Sequence, residues 1–466
     1  MPISPARKIA YEVLRRVESG RTFAVDLLQG AQVSQLKEVD RRLATELVMG
    51  VLRWRGELDF QIEQLSGKPL KRFDSEVAAL LRLGVYQLRF LEKIPKAAIV
   101  NEAVEMTKRV RKRSAAGLVN AVLRKCAPPA QRLASLPFEE LNLESRQSLS
   151  RAVPAWLLAR WAARDWTRGE AGLGLQACEA GAETAIKLAW ASIRVPPTTL
   201  RVAGERVGLE TLQRELAEAG IRTRPTRYAP RALVVESGNV WASKARGEGR
   251  VVIQDEASQL VAELVAPEAG QRVLDLCAAP GIKARQLAEA LRRGTLVASD
   301  LSPSRLRTLR KLLPPRFPSE VQLHVLRLDA THPLPFGAAF DRILLDVPCS
   351  GTGTLARNPE IRWRLQPGDL NRLAQTQMTM MKNALESLAP RGRLVYATCS
   401  LEPEENEQVV ERIMEGARDC RLLTQPELSR EFPALGSFFD PRGYFRTRPD
   451  LHGMDGFFAA VMVRND

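Results

Sequence analysis

Along the first 126 residues apolar side chains recur at three- and four-residue spacing, the period of one helix face. ARKIAYEVLRRV, RRLATELVMGVLRWRGELDFQIEQL, DSEVAALLRLGVYQLRFL, AAIVNEAVEMTKRV and AAGLVNAVLRKC each carry that period, with Pro95 and Gly67-Lys68-Pro69 as punctuation. An all-α domain over 1–126 is predicted. The period is lost in APPAQRLASLPFEELNLESRQSLS, whose Pro and Ser clusters predict a linker over 127–150. Residues 151–245 read as a small α+β module. TTLRVAG, ALVVESG and GNVWAS fit strands there, and GLETLQRELAEAG fits an amphipathic helix stopped by glycine.

From 246 to 466 the pattern changes to short apolar runs alternating with helical stretches. QRVLDLCAAPGIKARQLAEAL, GTLVASDLSPSRLRTLRKLL, VQLHVLRLDA, FDRILLDVPCS, GRLVYATCS and GFFAAVMV repeat a strand, then a small or acidic residue, then a loop. This is the grammar of βαβ units and predicts a parallel, doubly wound α/β sheet. In such sheets ligands lie at the carboxyl ends of the strands.

Composition narrows the partners. The chain has 466 residues, too many for one hydrophobic core. Lys and Arg number 69 against 54 Asp and Glu, a net charge of +15 that favours a polyanion such as nucleic acid. Five cations crowd one predicted helix end: Lys108, Arg109, Arg111, Lys112 and Arg113. A helix C-terminus favours some of them, and phosphate contacts account for the whole cluster. The N-terminal stretch has no apolar h-region, and no run is long enough to span a bilayer, so a cytoplasmic protein without membrane contact is expected.

The strand ends hold the candidate chemistry. The loop LDLCAAPGIK is rich in small residues and lets the backbone approach a ligand, although it is not the dinucleotide fingerprint GxGxxG. Asp275, Asp300, Asp329 and Asp346 end successive strands. One such Asp is often a helix cap. Four along one edge suit a nucleoside cofactor with a cationic centre, such as S-adenosylmethionine, and Asp300 stands where a carboxylate can hold a ribose diol. Of six cysteines none form CxxC pairs, and three histidines complete no zinc spacing, so no metal is expected. Cys126, Cys178 and Cys420 read as packing residues. Cys277 reads as a small loop residue. Cys349 and Cys399 fall at strand tips where a ligand must lie, and a thiolate there is a strong nucleophile.

LDLCAAPGIK, DVPCSGTGTLARNPEIRWR, YATCSLEPEENE and HGMDGFFAAVMV resemble the ordered motifs of the RNA (cytosine-5) methyltransferases. GVLRW, LRLGVYQLRFL and IPKAAIVNEAVEMTKR resemble the NusB RNA-binding domain, which points to the Sun/Fmu (RsmB) branch acting on small-subunit ribosomal RNA. The resemblance covers essentially the whole chain. It implies a class I, Rossmann-like methyltransferase domain over 246–466 and an RNA-binding role for 151–245. It also implies a monomer acting on carbon 5 of a cytosine. Cys399 would be the nucleophile, Cys349 would assist proton loss and release, and Asp346 would hydrogen-bond the base. Cys277, Ala278, Ala279, Pro280, Gly281, Ile282 and Lys283 would form the cofactor loop, with Asp300 on the ribose, Asp329 near the adenine and Asp346 bordering the methionine end.

The loop departs from the family's APGGKT at Ile282 and Ala284. A β-branched Ile282 is incompatible with a positive φ, and Ala284 lacks a capping hydroxyl. Two other readings compete. A DNA-type cytosine-5 enzyme would use Cys349 as nucleophile, and an RNA-binding assembly factor would carry a decayed catalytic domain.

Overall fold

A computed structural model describes residues 3–20, 22–127, 136–164, 166, 175–204, 208–313 and 320–466, without the side chains of 175–179. It divides into two compact units: residues 1–195 with Thr354–Leu365, and Pro196–Gly353 with Gln366–Asp466. Among the described residues no helix is long and apolar enough to cross a membrane.

The first unit is helical where described. Its N-terminal helices are α1 (Pro5–Glu18), α2 (Ala24–Leu28), α3 (Ala31–Ser34), α4 (Glu38–Ser66), α5 (Ser75–Phe90), α6 (Lys96–Arg109) and α7 (Ala116–Lys125). Ser4 caps α1 through its hydroxyl, and Gly67, at φ +66°, ends α4. Leu47, Leu58, Ile62, Leu80 and Leu81 are fully buried between α4 and its neighbours, each stabilising the fold by about 2 kcal/mol. Arg82 on α5 pairs with Glu18 of α1 and Asp59 of α4 at 2.8 and 2.6 Å. The predicted linker contains a helix at Leu143–Arg151, with the Asn142 side chain accepting from the Ser145 amide. Its polar sequence hides the helix because little besides Leu149 needs burial there. Leu175–Ile193 adds a long helix in the stretch expected to be mixed.

The second unit begins with β1 (Thr198–Val202), β2 (Arg222–Pro225), β3 (Ala232–Ser237) and β4 (Val251–Ile253), an antiparallel sheet in the order β2-β3-β1-β4. Leu200 and Leu233 pack on Leu212 and Leu216 of the helix Leu209–Glu218. GNVWAS is a 3-10 turn at Val240–Ala242 rather than a strand, because the Asn239 side chain accepts from the Trp241 amide and closes the chain on itself.

The larger sheet comprises β5 (Arg272–Asp275), β6 (Arg293–Asp300), β7 (Glu320–Arg327), β8 (Phe340–Asp346), β9 (Leu388–Thr398), β10 (Cys420–Leu422), β11 (Phe445–Arg446) and β12 (Phe458–Arg464). Its order is β10-β12-β9-β8-β5-β6-β7, with β11 beside β12. β5 to β9 are mutually parallel. The doubly wound sheet is parallel as expected except at β12, which runs antiparallel to both β9 and β10. An apolar run buried on both faces looks the same in either direction, so the pattern could not report this reversal. Adjacent strand residues face opposite layers: Val273 joins helices Glu256–Glu263 and Ile282–Leu291, and Leu274 joins helix Pro367–Glu386.

Candidate active site

β8 and β5 are neighbours, and β5 adjoins β6, so Asp346, Asp275 and Asp300 stand side by side as the last residues of their strands. Asp346 lies opposite Ala397, and the Val347 amide still donates to the Ala397 carbonyl at 3.0 Å. This register makes the chain leave the sheet at one level after both strands. Cys349 and Cys399 therefore meet, with 3.3 Å between their sulfurs. The described cysteines are all free thiols, and Cys178 lies outside the described side chains.

Two glycines close the same loops. The Gly456 amide donates to the Gly353 carbonyl at 2.8 Å, and a Cβ on Gly353 would stand 2.1 Å from the Gly456 oxygen. HGMDGFF thus serves as backing for the Pro-Cys loop. Phe457 from the same motif lies 5.1 Å beneath the Lys283 ammonium.

The cofactor loop crosses the end of β5. The Ala278 amide donates to Ser299 O at 2.8 Å, and the Gly281 amide to Ala278 O at 2.7 Å. Arg305 reaches Ala279 O at 2.5 Å and Asp300 at 3.4 Å. The concern over Ile282 is corrected. Gly281 takes the positive φ, +107°, and Ile282 opens the helix that follows. Ala284 is buried in the core beneath the sheet, where a hydroxyl would need a partner.

Lys283, expected in the cofactor loop, turns its ammonium to Asp346 at 2.7 Å. Burial works against its charge, but Asp346, the Cys399 sulfur and Asp275 hold its pKa above the ordinary value. Burial raises Asp275 to about 8, helped by Asp346 and Asp300. Its Oδ2 is buried without a hydrogen-bond partner. Cys349 is raised well above an ordinary thiol, first by its hydrogen bond with Cys399, then by burial and by the charges on Cys399, Glu405 and Asp346. Burial and the carboxylates of Asp275, Asp346 and Asp300 push Cys277 far up, which leaves it an inert thiol. Cys126 and Cys420 are buried and raised by burial, as packing residues.

Asp329 sits two residues beyond β7 and closes its own turn, accepting from the Thr331 hydroxyl at 2.6 Å and the Thr331 amide at 3.0 Å. The Thr331 hydroxyl is the first cause of its lowered pKa. The five cations are not equivalent. Lys108 pairs with Glu105 at 2.6 Å and Lys112 with Asp74 at 2.9 Å, whereas Arg109, Arg111 and Arg113 are exposed without an ion pair among the described residues.

The sequence marks Glu405 only as a charge in the turn after Cys399 and gives Gln377, Ser350 and Ser400 no role in the site. They form a buried network under both cysteines. Gln377 gives no sequence signal, being one polar residue within a helix.

A parallel sheet with one reversed strand, a small-residue loop after β5 and carboxylates along the strand ends define an S-adenosylmethionine-dependent methyltransferase domain. Residues 262–463 match the family described as 16S rRNA methyltransferase RsmB/F, and residues 4–128 match the NusB family. The chain is 30% identical to the probable ribosomal RNA small subunit methyltransferase B of Bacillus subtilis, covering 99% of both chains. It is 33% identical to ribosomal RNA small subunit methyltransferase B of Pseudomonas putida, covering 98% of each. A methyltransferase homolog protein from Pyrococcus horikoshii superposes with a TM-score of 0.54 at 28% identity, covering 70% of this chain and 100% of its own. The chain belongs to the ribosomal RNA small subunit methyltransferase B family.

The site fits the cofactor that this family uses. The unpartnered oxygen of Asp275, which a bound cation would favour as the carboxylate, and the neighbouring Asp300 suit a cationic nucleoside. Cys277 to Lys283, with Asp300, Asp329 and Asp346, are the candidates to hold it.

Proposed function

We propose that this protein methylates carbon 5 of a cytosine in small-subunit ribosomal RNA through a covalent bond from Cys399 to carbon 6. The observation that carries this reading is the pair of thiols 3.3 Å apart at the strand ends, beside Lys283 and Asp346. One thiol suffices for attack; two in contact suit attack followed by release. The cofactor supplies a methyl group on a cationic sulfur. Carbon 5 of cytosine is a weak nucleophile until a thiolate adds at carbon 6 and the electrons of the double bond move to carbon 5. Asp346, with Lys283 on Oδ2, accepts a hydrogen bond from the amino edge of the base and favours its nitrogen-3-protonated form, which draws electrons from carbon 6.

After attack Cys399 is a neutral thioether. The hydrogen bond that raises Cys349 most, and the charge on Cys399, then disappear, while burial remains. Cys349 becomes easier to ionise, gives its own proton to solvent and, as the thiolate, takes the carbon 5 proton. The carbon 5–hydrogen electrons restore the double bond to carbon 6 as the carbon 6–sulfur bond breaks with its electrons returning to Cys399. The target base must be flipped out or single-stranded to reach these thiols.

The test is one denaturing gel with labelled RNA. Cys399→Ser should abolish both methyl transfer and adduct. Cys349→Ala should accumulate an RNA–protein band that needs S-adenosylmethionine and Cys399. An adduct from Cys399→Ser alone would move the nucleophile to Cys349, as in a DNA-type enzyme. No adduct and no cofactor binding would mark a decayed domain.

A further inference from the structure

Past the last ladder bonds of β8 and β9, the two cysteine loops need other partners to hold their register. One side chain supplies them. Glu405 ends the short turn Pro403–Glu405 and is fully buried. Its Oε1 accepts from the Ser350 amide at 2.8 Å and from Gln377 Nε2 at 3.0 Å, and its Oε2 accepts from the Ser400 hydroxyl at 2.6 Å. Ser350 and Ser400 each follow a cysteine, and their hydroxyls are 3.0 Å apart. The same Gln377 amide donates to Pro348 O at 3.0 Å, on the other side of Cys349. The Tyr396 hydroxyl fixes the Glu405 carbonyl at 2.6 Å. A carboxylate is suited to this place because it offers two acceptor oxygens about 2.2 Å apart on a rigid plane.

We propose that Glu405 is a positioning residue that clamps the residues following Cys349 and Cys399 and thereby sets the distance between the two sulfurs. It touches neither thiol through a hydrogen bond and is sealed from substrate, so it acts through Ser350 and Ser400. Its charge also contributes to keeping Cys349 protonated before attack. Burial raises the Glu405 pKa, and the hydrogen bonds from Ser350, Ser400 and Gln377 oppose that rise. The catalytic meaning of the clamp rests on the two-thiol mechanism above, whereas the spacing itself does not.

Glu405→Ala and Glu405→Gln separate the possibilities when three quantities are followed. The first is the rate at which diamide closes a Cys349–Cys399 disulfide, a reaction in which the two thiols lose two electrons and two protons to the diazene. Closure needs the sulfurs to move from 3.3 Å to about 2.05 Å, so it reports spacing directly. The second is single-turnover methylation, and the third is S-adenosylmethionine affinity alongside thermal unfolding. Glu405→Ala should slow disulfide closure about tenfold and methylation about a hundredfold, with cofactor affinity within about twofold of the parent. Glu405→Gln keeps an acceptor for the Ser350 amide and should recover most of both losses. Parent-like disulfide closure in Glu405→Ala would overturn the clamp, as would losses that merely follow the folded fraction. Slower closure in Glu405→Ala together with no RNA adduct from Cys349→Ala would sink the two-thiol mechanism and leave the clamp standing.

Discussion

Asp275 ends its strand 1% exposed, with Oδ2 unpartnered and a pKa near 8. In the free protein near neutral pH it therefore holds a proton more often than an exposed carboxyl would. A bound sulfonium or ammonium group favours the carboxylate, so cofactor binding should release a proton. The sign follows: affinity rises with pH, by up to about tenfold per unit below the pKa of about 8, and levels off above it. Calorimetric titration of S-adenosylmethionine in buffers of different ionisation enthalpy measures that proton, and Asp275→Asn should erase both the proton and the slope. A flat profile in the parent would place the cation away from Asp275. At this scale the sequence was informative about identity and less so about partners. Cys349, Cys399 and the strand-end carboxylates stand out in it. That Lys283 would leave the loop to pair with Asp346, and that Gly281 would absorb the strain expected at Ile282, depended on side-chain direction and on a single φ.

Among the elements, the segment after the Pro-Cys loop departs most from its reading as one continuous catalytic motif. The chain passes from Gly353 into Thr354–Leu365, which belongs to the helical unit. There Arg362 is fully buried and donates to Ala152 O, Ser192 Oγ, Ser192 O and Leu355 O at 3.0–3.1 Å. Burial, with Arg53 nearby, lowers its pKa to about 9. Trp363 donates to Leu52 O at 2.7 Å, and Arg364 to Val17 O and Thr22 O at 2.7 and 2.6 Å. Arg362→Ala strands several buried acceptors and should destabilise the helical unit by about 3 kcal/mol in urea unfolding. Arg362→Lys keeps the charge but cannot fork to four acceptors, and should recover only part. Equal stability of parent and Arg362→Ala would mean that water replaces the guanidinium. Helical periodicity made α1 and α4 to α7 legible because each has one long buried face. The strand β2, reading Arg-Thr-Arg-Pro, and the three-residue β4 carry no such face of their own. They exist because β3 and β1 offer them open edges.

Across the whole molecule the net charge of +15 sets a general attraction for RNA, and its distribution decides how much of that attraction any one cluster supplies. The helix-end cluster reads from the sequence as five equal cations. Glu105 and Asp74, separated from them in the chain or merely adjacent on the helix, cancel part of Lys108 and Lys112. Arg109, Arg111 and Arg113 remain exposed without an ion pair among the described residues. The Lys108–Glu105 pair is itself largely solvated and worth little. If this face contacts phosphates, each arginine neutralised should lower the slope of log affinity against log salt by about 0.7 for single strands and about 0.9 for duplex. Replacing all three with glutamine should therefore flatten it by about two on single strands and nearly three on duplex, alike on related and unrelated RNA sequences, because phosphate contacts carry no sequence information. Lys108→Gln with Lys112→Gln should move it less. Fluorescence anisotropy over a salt series makes the measurement. Two other outcomes have distinct meanings: equal effects from the lysine and arginine sets would show that RNA displaces Glu105 and Asp74, and an unchanged slope in the triple variant would assign the cluster to the solvated end of α6.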